Sequence, residues 1–379
     1  MLPQKSIPAI ILRIVCGAWL IGKLVSYKLW LATRLFPLAP VSDTLTNAPA
    51  WVHAGLFFAG LAAILAVMLF PAKRGLLATV ISLELLSCLL DQNRWQPWEY
   101  QYLFITAIFL INAGKEHVGR LIAFVIAAAY LYAGLNKLTP GFLSSVWADL
   151  ILRHYLHVPG HIIGNRWVYN AGYLLAMAET ALAIGLFIKR TQKLSAYFIL
   201  AMHLFIILFL GITGIRHNAV VWPWNVALAA LVYLLFIRDH TQVIDRTMLL
   251  KGANNLIWLC WGLLPAFSFA GLWDNYLSSN LYSGRQPFML ICVADTNAVA
   301  ELKPYLEKDG HQLCSGQAVI NVNRWAFTEL HVPPYPQQRV QRQLKQVFNA
   351  HYPQAGARFL SFGHALWKGK PAHNKPVEL

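Results

Sequence analysis

The sequence predicts a mostly α-helical, polytopic membrane bundle of about eight or nine spans, followed by a small C-terminal α+β domain. Three observations lead there. Of 379 residues, 57% are hydrophobic and only 12% are charged, about half the charged share of a soluble domain. Apolar runs recur at close to the length that crosses hydrocarbon. From residue 285 onward the pattern changes to short strand-like and helix-like segments. The boundaries read as a bundle over 1–280 and a soluble domain over 285–379.

The apolar runs lie at 8–26, 52–70, 76–90, 99–113, 119–136, 168–188, 194–213, 219–237 and 255–271. The runs at 76–90 and 99–113 are short, which is tolerated where span ends are buried in protein. The first run carries Arg13 and Lys23 and no small-residue cleavage site, so it reads as a retained span. Loops with Lys73, Arg74, Lys189, Arg190 and Lys193 form the richer basic face, and those with Lys28, Arg34, Arg94, Arg153 and Arg216 the poorer one. The richer face and the N-terminus are expected in the cytoplasm. Nine spans then place the C-terminal domain outside. The net charge of +15 sits mostly in these loops. It reads as a topology signal and a contact to anionic lipid, not as a nucleic-acid surface.

The outer loops "DQNRWQPWEYQY" (91–102), "NKLTPGF" (136–142) and "RHNAVVWPWN" (216–225) are rich in Trp, Pro and Asn. They fit either an aromatic belt or a folded-back lid. In the tail, "PFMLICVA" predicts a strand, "NAVAELKPYLEKDG" a helix ending at Gly310, and "QAVINVNRWAFTELHV" one or two strands. "QQRVQRQLKQVFNAHY" predicts a helix whose basic side, Arg339 to Lys345, is solvated or touches lipid. "ARFLSFG" predicts a last strand, and "KGKPAHNKPVEL" a flexible end. The five cysteines show no zinc spacing, and no metal site is predicted. Cys16, Cys88 and Cys260 read as packing residues; Cys292 and Cys314 could pair.

Ionisable residues inside apolar runs are costly, roughly 2.5–3.5 kcal/mol each on insertion scales. Glu84, Glu179 and His203 are such residues. They must face protein or water. Glu179 and His203 fall at similar depth on consecutive runs and are expected to hydrogen-bond to each other. Lys137 ends the run "LIAFVIAAAYLYAGLNKLTPGF". It reads either as a headgroup anchor or as an amine kept partly out of water. Desolvation disfavours its charge, and a base works best when it is part neutral at the working pH.

"YLYAGLNKLTPGF" resembles the Ala-Gly-x-x-Lys-Leu segment of the vitamin K-dependent gamma-carboxylase family. It is also similar to bacterial proteins with the related horizontally transferred transmembrane (HTTM) domain. An acidic residue in the next run (Glu179), a His in the one after (His203) and "LLDQNRWQPWEYQY" continue the resemblance, chiefly over 89–225. The resemblance implies a carbon–carbon lyase-like enzyme using a reduced, vitamin K-like quinone, with Lys137 as base at the outer face. Catalytic roles would fall on Lys137, Glu179 and His203. Asn136, Trp222, Trp224 and Asn225 would shape the cofactor pocket. The expected partners are the bilayer and a hydrophobic quinone-like molecule. Two departures stand out. The family's catalytic His-Val-Pro-Leu-Trp-like segment has only His117, in "KEHVGR", as a counterpart, and its role is not carried over. The tail is also short for a propeptide-binding region. The alternatives are a redox-accessory, DoxX-like protein, or a proton-coupled transporter along Glu84, Glu179 and His203. The absence of an inverted repeat weighs against the transporter.

Overall fold

The computed structural model describes residues 6–71, 73–112, 117–211, 218–243, 252–308, 313–363 and 377–379. Part of the 216–225 loop and much of the terminal segment therefore lie outside the described residues. Helix α1 (Ile7–Val25) opens on Ser6, whose hydroxyl accepts the Ala9 N–H, a common N-terminal cap. There follow α2 (Ala50–Leu69), α3 (Arg74–Leu90), α4 (Pro97–Ile111) and α5 (Val118–Asn136). Next come α6 (Phe142–Tyr155), which no apolar run predicts, α7 (Gly172–Phe187) and α8 (Gln192–Leu210). The bundle ends with α9 (Val221–Arg238) and α10 (Gly252–Ala270).

Among the described residues, seven helical segments are long and apolar enough to cross a membrane: α1, α2, α5, α7 with its lead-in from Arg166, α8, α9 and α10. That is the build of a multi-pass integral membrane protein. The helices α3 and α4 have 17 and 15 residues and fall short of that length. Large apolar side chains such as Phe58 on α2, Leu174 on α7 and Phe198 on α8 are exposed on the outer surface, as lipid-facing positions are. Helix α5 is different. Leu121 to Ala128 are buried without interruption, so α5 is apolar on all sides because it stands inside the bundle.

The tail forms β1 (Phe288–Val293), β2 (Leu306–Glu307), β3 (Ala318–Asn321), α11 (Val322–Leu330), α12 (Gln338–His351), β4 (Arg358–Phe362) and β5 (Val377–Glu378). The five strands make one antiparallel sheet in the order β2-β3-β1-β4-β5. In it Ile291 lies opposite both Ile320 and Phe359.

Three expectations change here. The helix expected over 297–310 is a short 3-10 stretch, Ala300–Tyr305, that turns into strand β2. Pro304 sits inside it and cannot donate to a continuing α-helix. The second strand expected within 317–332 is helix α11. The Asn321 side chain caps it by accepting the Asn323 and Arg324 N–H groups, and Val322, Trp325, Ala326 and Leu330 bury one helical face. Of the end read as flexible, residues 368–376 lie outside the described residues, and Val377–Leu379 are held: β5 pairs with β4, and Lys345 donates to the Leu379 carbonyl.

The sheet domain is bound to the loops at one end of the bundle. Glu329 of α11 accepts the Leu35 and Phe36 N–H groups at 2.5 and 3.0 Å. The Tyr335 N–H donates to Asn93 Oδ1 at 3.0 Å, and Gln96 Nε2 donates to the Pro333 carbonyl at 3.0 Å. Arg339 donates to Gln92 Oε1 and pairs with Asp274. The basic side of α12 is thus partly spent on protein contacts.

Arg94, read above as a loop charge, is fully buried. It donates to the carbonyls of Leu29, Ser87 and Trp30 and bonds His53 Nδ1. Those carbonyls lie at helix ends, where backbone acceptors lack partners within the helix; that of Leu29 also accepts from Arg34 at 2.6 Å. Burial lowers the Arg94 guanidinium to about 10, against the pull of the Asp91 carboxylate, which raises it.

Candidate functional site

Gly134 on α5 sets the geometry. A Cβ there would lie 2.5 Å from Thr180 Oγ1 and 2.7 Å from the Thr180 backbone nitrogen on α7. Only glycine lets the two backbones approach this closely. One turn further, where α5 ends, Lys137 therefore reaches Glu179. Its Nζ donates to Oε1 at 2.8 Å and Oε2 at 2.6 Å. The side chains are 17% and 9% exposed, so the pair is mostly removed from solvent. Lys137 does not extend away from the protein, as an anchor would.

His203 on α8 does not bond Glu179, contrary to expectation. The close α5–α7 approach gives Glu179 to Lys137, and His203 has other partners. Asn225 Nδ2 donates to the Val221 carbonyl at 2.7 Å, which leaves Asn225 Oδ1 to accept from His203 Nδ1 at 2.7 Å. The tautomer follows from this network: Nδ1 carries the hydrogen and Nε2 keeps its lone pair. The Tyr130 hydroxyl, 2.5 Å from Nε2, is then the donor. The Tyr130 oxygen is left with lone pairs for a further partner.

Both arrangements open onto one cavity of about 110 Å³. Lys137, Glu179, Tyr130, His203 and Asn225 supply its polar lining, with Gln101, Trp224, Ser279 and Tyr282. Ala129, Ala133, Met202, Ile206, Val221, Leu228 and Leu281 give it apolar walls. Trp224 Nε1 donates to Gln101 Oε1 at 2.7 Å, so α9 and α4 close over one side. The arrangement can hold a mainly apolar ring with one or two oxygens. It offers such a ligand a paired cation at one point and a hydroxyl backed by a basic nitrogen at another.

Of the residues singled out in the sequence, Lys137, Glu179, His203, Trp224 and Asn225 line this cavity. Asn136 and Trp222 do not. Asn136 donates to the Ser278 carbonyl at 3.2 Å and accepts from Arg285 at 2.9 Å, tying the end of α5 to the segment before β1. Trp222 Nε1 donates to the Leu210 carbonyl at 3.1 Å. Glu84 does not line the cavity and pairs with Lys23 at 2.6 Å. His117 precedes α5 at the end opposite Lys137, roughly 28 Å away along a helix of that length.

Sequence reasoning missed Tyr130 and Gln101. Tyr130, Ala133 and Lys137 follow the i, i+3, i+7 spacing of one helical face, a signal that was open to use. Gln101 falls where the loop 91–102 and the apolar run 99–113 overlap, and was not singled out; Pro97 opens α4 before that run begins, which places Gln101 firmly on the helix. Among the described residues no group of three or more His, Cys, Asp or Glu is placed to hold a metal ion. Cys292 and Cys314 form a disulfide. Comparison with known proteins finds no matching family model, no similar curated protein and no similar solved structure.

Proposed function

We propose that this protein is a membrane enzyme that ionises a hydroxyl of an apolar, quinol-class molecule held in the cavity. The observation that carries this reading is the shared lining: the Lys137–Glu179 pair and the Tyr130–His203–Asn225 chain face the same small, mostly apolar space. The ligand hydroxyl donates its proton to the Tyr130 oxygen as the Tyr130 proton moves to His203 Nε2. The oxyanion that forms lies toward Lys137. A cation fixed in advance near developing negative charge is an efficient stabiliser in a site that excludes water.

The resemblance to the vitamin K-dependent carboxylases assigns the base role to Lys137 itself. Its amine would need to shed a proton first, because in the structure it is held by both Glu179 oxygens. The paired geometry favours charge stabilisation at Lys137 and base action at His203 through Tyr130. Carboxylation of a glutamate belongs to the resemblance alone. A nine-span topology, with α3 and α4 both crossing, puts the cavity's Lys137 end and the sheet domain on one face. The Cys292–Cys314 disulfide supports that face being the outer one, since disulfides persist in oxidising compartments.

The test is purification in mild detergent, followed by mass spectrometry of the extracted lipids and titration with a short-chain quinol. Bound quinone, and saturable quinol binding lost in Tyr130→Phe with Lys137→Ala, are the expected results. A protein that carries no quinone and does not bind the quinol sinks the enzyme reading and leaves a redox-accessory or transport role.

A further inference from the structure

A second buried cluster of ionisable groups lies where α1, α3 and α4 meet, and it shares no residue with the cavity. Lys23, Glu84 and Glu99 are at most 1% exposed. Lys23 Nζ is 2.6 Å from Glu84 Oε2 and stands 3.1 Å above the Trp30 ring centre. Trp19 Nε1 donates to Glu99 Oε2 at 2.6 Å. The two carboxyl groups lie within hydrogen-bonding reach of each other. Oε1 of Glu84 and Oε1 of Glu99 are both buried, and neither has a hydrogen-bond donor. Nearby, the Tyr102 hydroxyl makes no hydrogen bond, and Arg94 is committed to Ser87, Leu29, Trp30 and His53.

Lys23 bonds Glu84, and among the described residues no cation bonds Glu99, so an ionised Glu99 would be a carboxylate without a paired charge in this dry interior, which is strongly disfavoured; the charge of Arg94 reaches Glu84. Two facing acceptors without a hydrogen between them would add to that cost. One proton removes both problems. It belongs on Glu99, because Glu84 is the carboxyl that Lys23 pairs. Glu99 Oε2 is then a carbonyl oxygen, suited to accept the Trp19 N–H.

We propose that the α1–α3–α4 interior is a proton-binding site: Glu99 is a carboxylic acid that donates its hydrogen to Glu84, closing a neutral Lys23–Glu84–Glu99 triad. Gly60 on α2 is part of the site. A Cβ there would lie 2.5 Å from Glu84 Oε1, so glycine keeps room for the oxygen that receives the proton. A proton held this way is shut inside the protein and needs no water to solvate it.

The test is infrared spectroscopy of the purified full-length protein and of two variants at neutral pH, with thermal melting of each. A carbonyl stretch of a protonated carboxylic acid is expected in the wild type, retained in Glu179→Gln and lost in Glu99→Gln. Glu99→Gln is expected to melt within about 3 °C of the wild type, because a neutral amide donor replaces a neutral acid donor. A wild-type spectrum without the band, or a band that survives in Glu99→Gln, overturns the proposal. So does a Glu99→Gln protein that fails to fold.

Discussion

Gly134 and Thr180 meet backbone to backbone, and the Lys137–Glu179 ion pair stands one turn beyond that contact. The pair exists because α5 and α7 are allowed to touch. Gly134→Ala should force them apart, with an overpacking cost of about 1–3 kcal/mol. The expected result is a lower melting temperature together with weaker quinol binding. Gly75→Ala, at a position with nothing within 4 Å, should do neither.

Removing one partner of a buried pair strands the other. Lys137→Met and Glu179→Gln should each destabilise by about 3 kcal/mol, the low end for such pairs, since Lys137 is 17% exposed. The double variant should recover part of the loss. A double-mutant cycle by thermal melting measures the coupling, and additive losses would show that the contact carries no energy of its own.

The Tyr130 hydroxyl should matter to the ligand more than to the fold. Tyr130→Phe keeps the ring and removes the oxygen that faces the cavity. Quinol affinity is expected to fall roughly tenfold, the worth of about one hydrogen bond to a buried acceptor. Asn225→Ala should have a related effect on turnover by freeing the His203 tautomer, which a pH profile of activity would reveal.

Acid should loosen the seat of the sheet domain. Asp91 is buried, which pushes its carboxyl up, but the Arg34 and Arg94 guanidiniums outweigh this and hold it below the usual carboxylate range. A carboxyl lowered in the folded state contributes stability above its unfolded value, and that contribution is lost as pH falls through the folded value. The melting temperature is therefore expected to drop as pH is taken below about 4. Asp91→Asn should lose that dependence while being less stable at neutral pH, because Arg34, 2.5 Å from Asp91 Oδ2, would lose its counter-charge.

The Cys292–Cys314 bridge spans 22 residues, and closing a loop of that size is worth about 3 kcal/mol. Cys314→Ser is expected to lower the stability of the sheet domain selectively. Limited proteolysis should then cut between β1 and β3 before it cuts the bundle.

The bundle was legible in the sequence because hydrocarbon demands long apolar runs, and a charge inside such a run is conspicuous. That is how Lys137, Glu179 and His203 stood out. Their pairing was not legible. Adjacency along the chain favoured Glu179 with His203, whereas the decisive contact is a glycine of α5 against α7. Arg94 was hidden in a polar segment that reads as loop, and Glu99 where that segment overlaps the next apolar run, since hydropathy cannot tell a solvated charge from one buried against helix ends. In the tail, "VNRWAFTEL" reads as strand by its apolar content. The Asn321 cap and the burial of one helical face decide for helix.

Gly141 and Gly284 also meet without side chains: a Cβ on Gly141 would lie 2.3 Å from the Gly284 carbonyl oxygen. Nothing compressible lies between the turn that follows Lys137 and the segment that leads into the sheet. A displacement of either is handed directly to the other. A protein that grips the sheet domain would thereby have a mechanical handle on the cavity's cation, at a distance from the cavity itself.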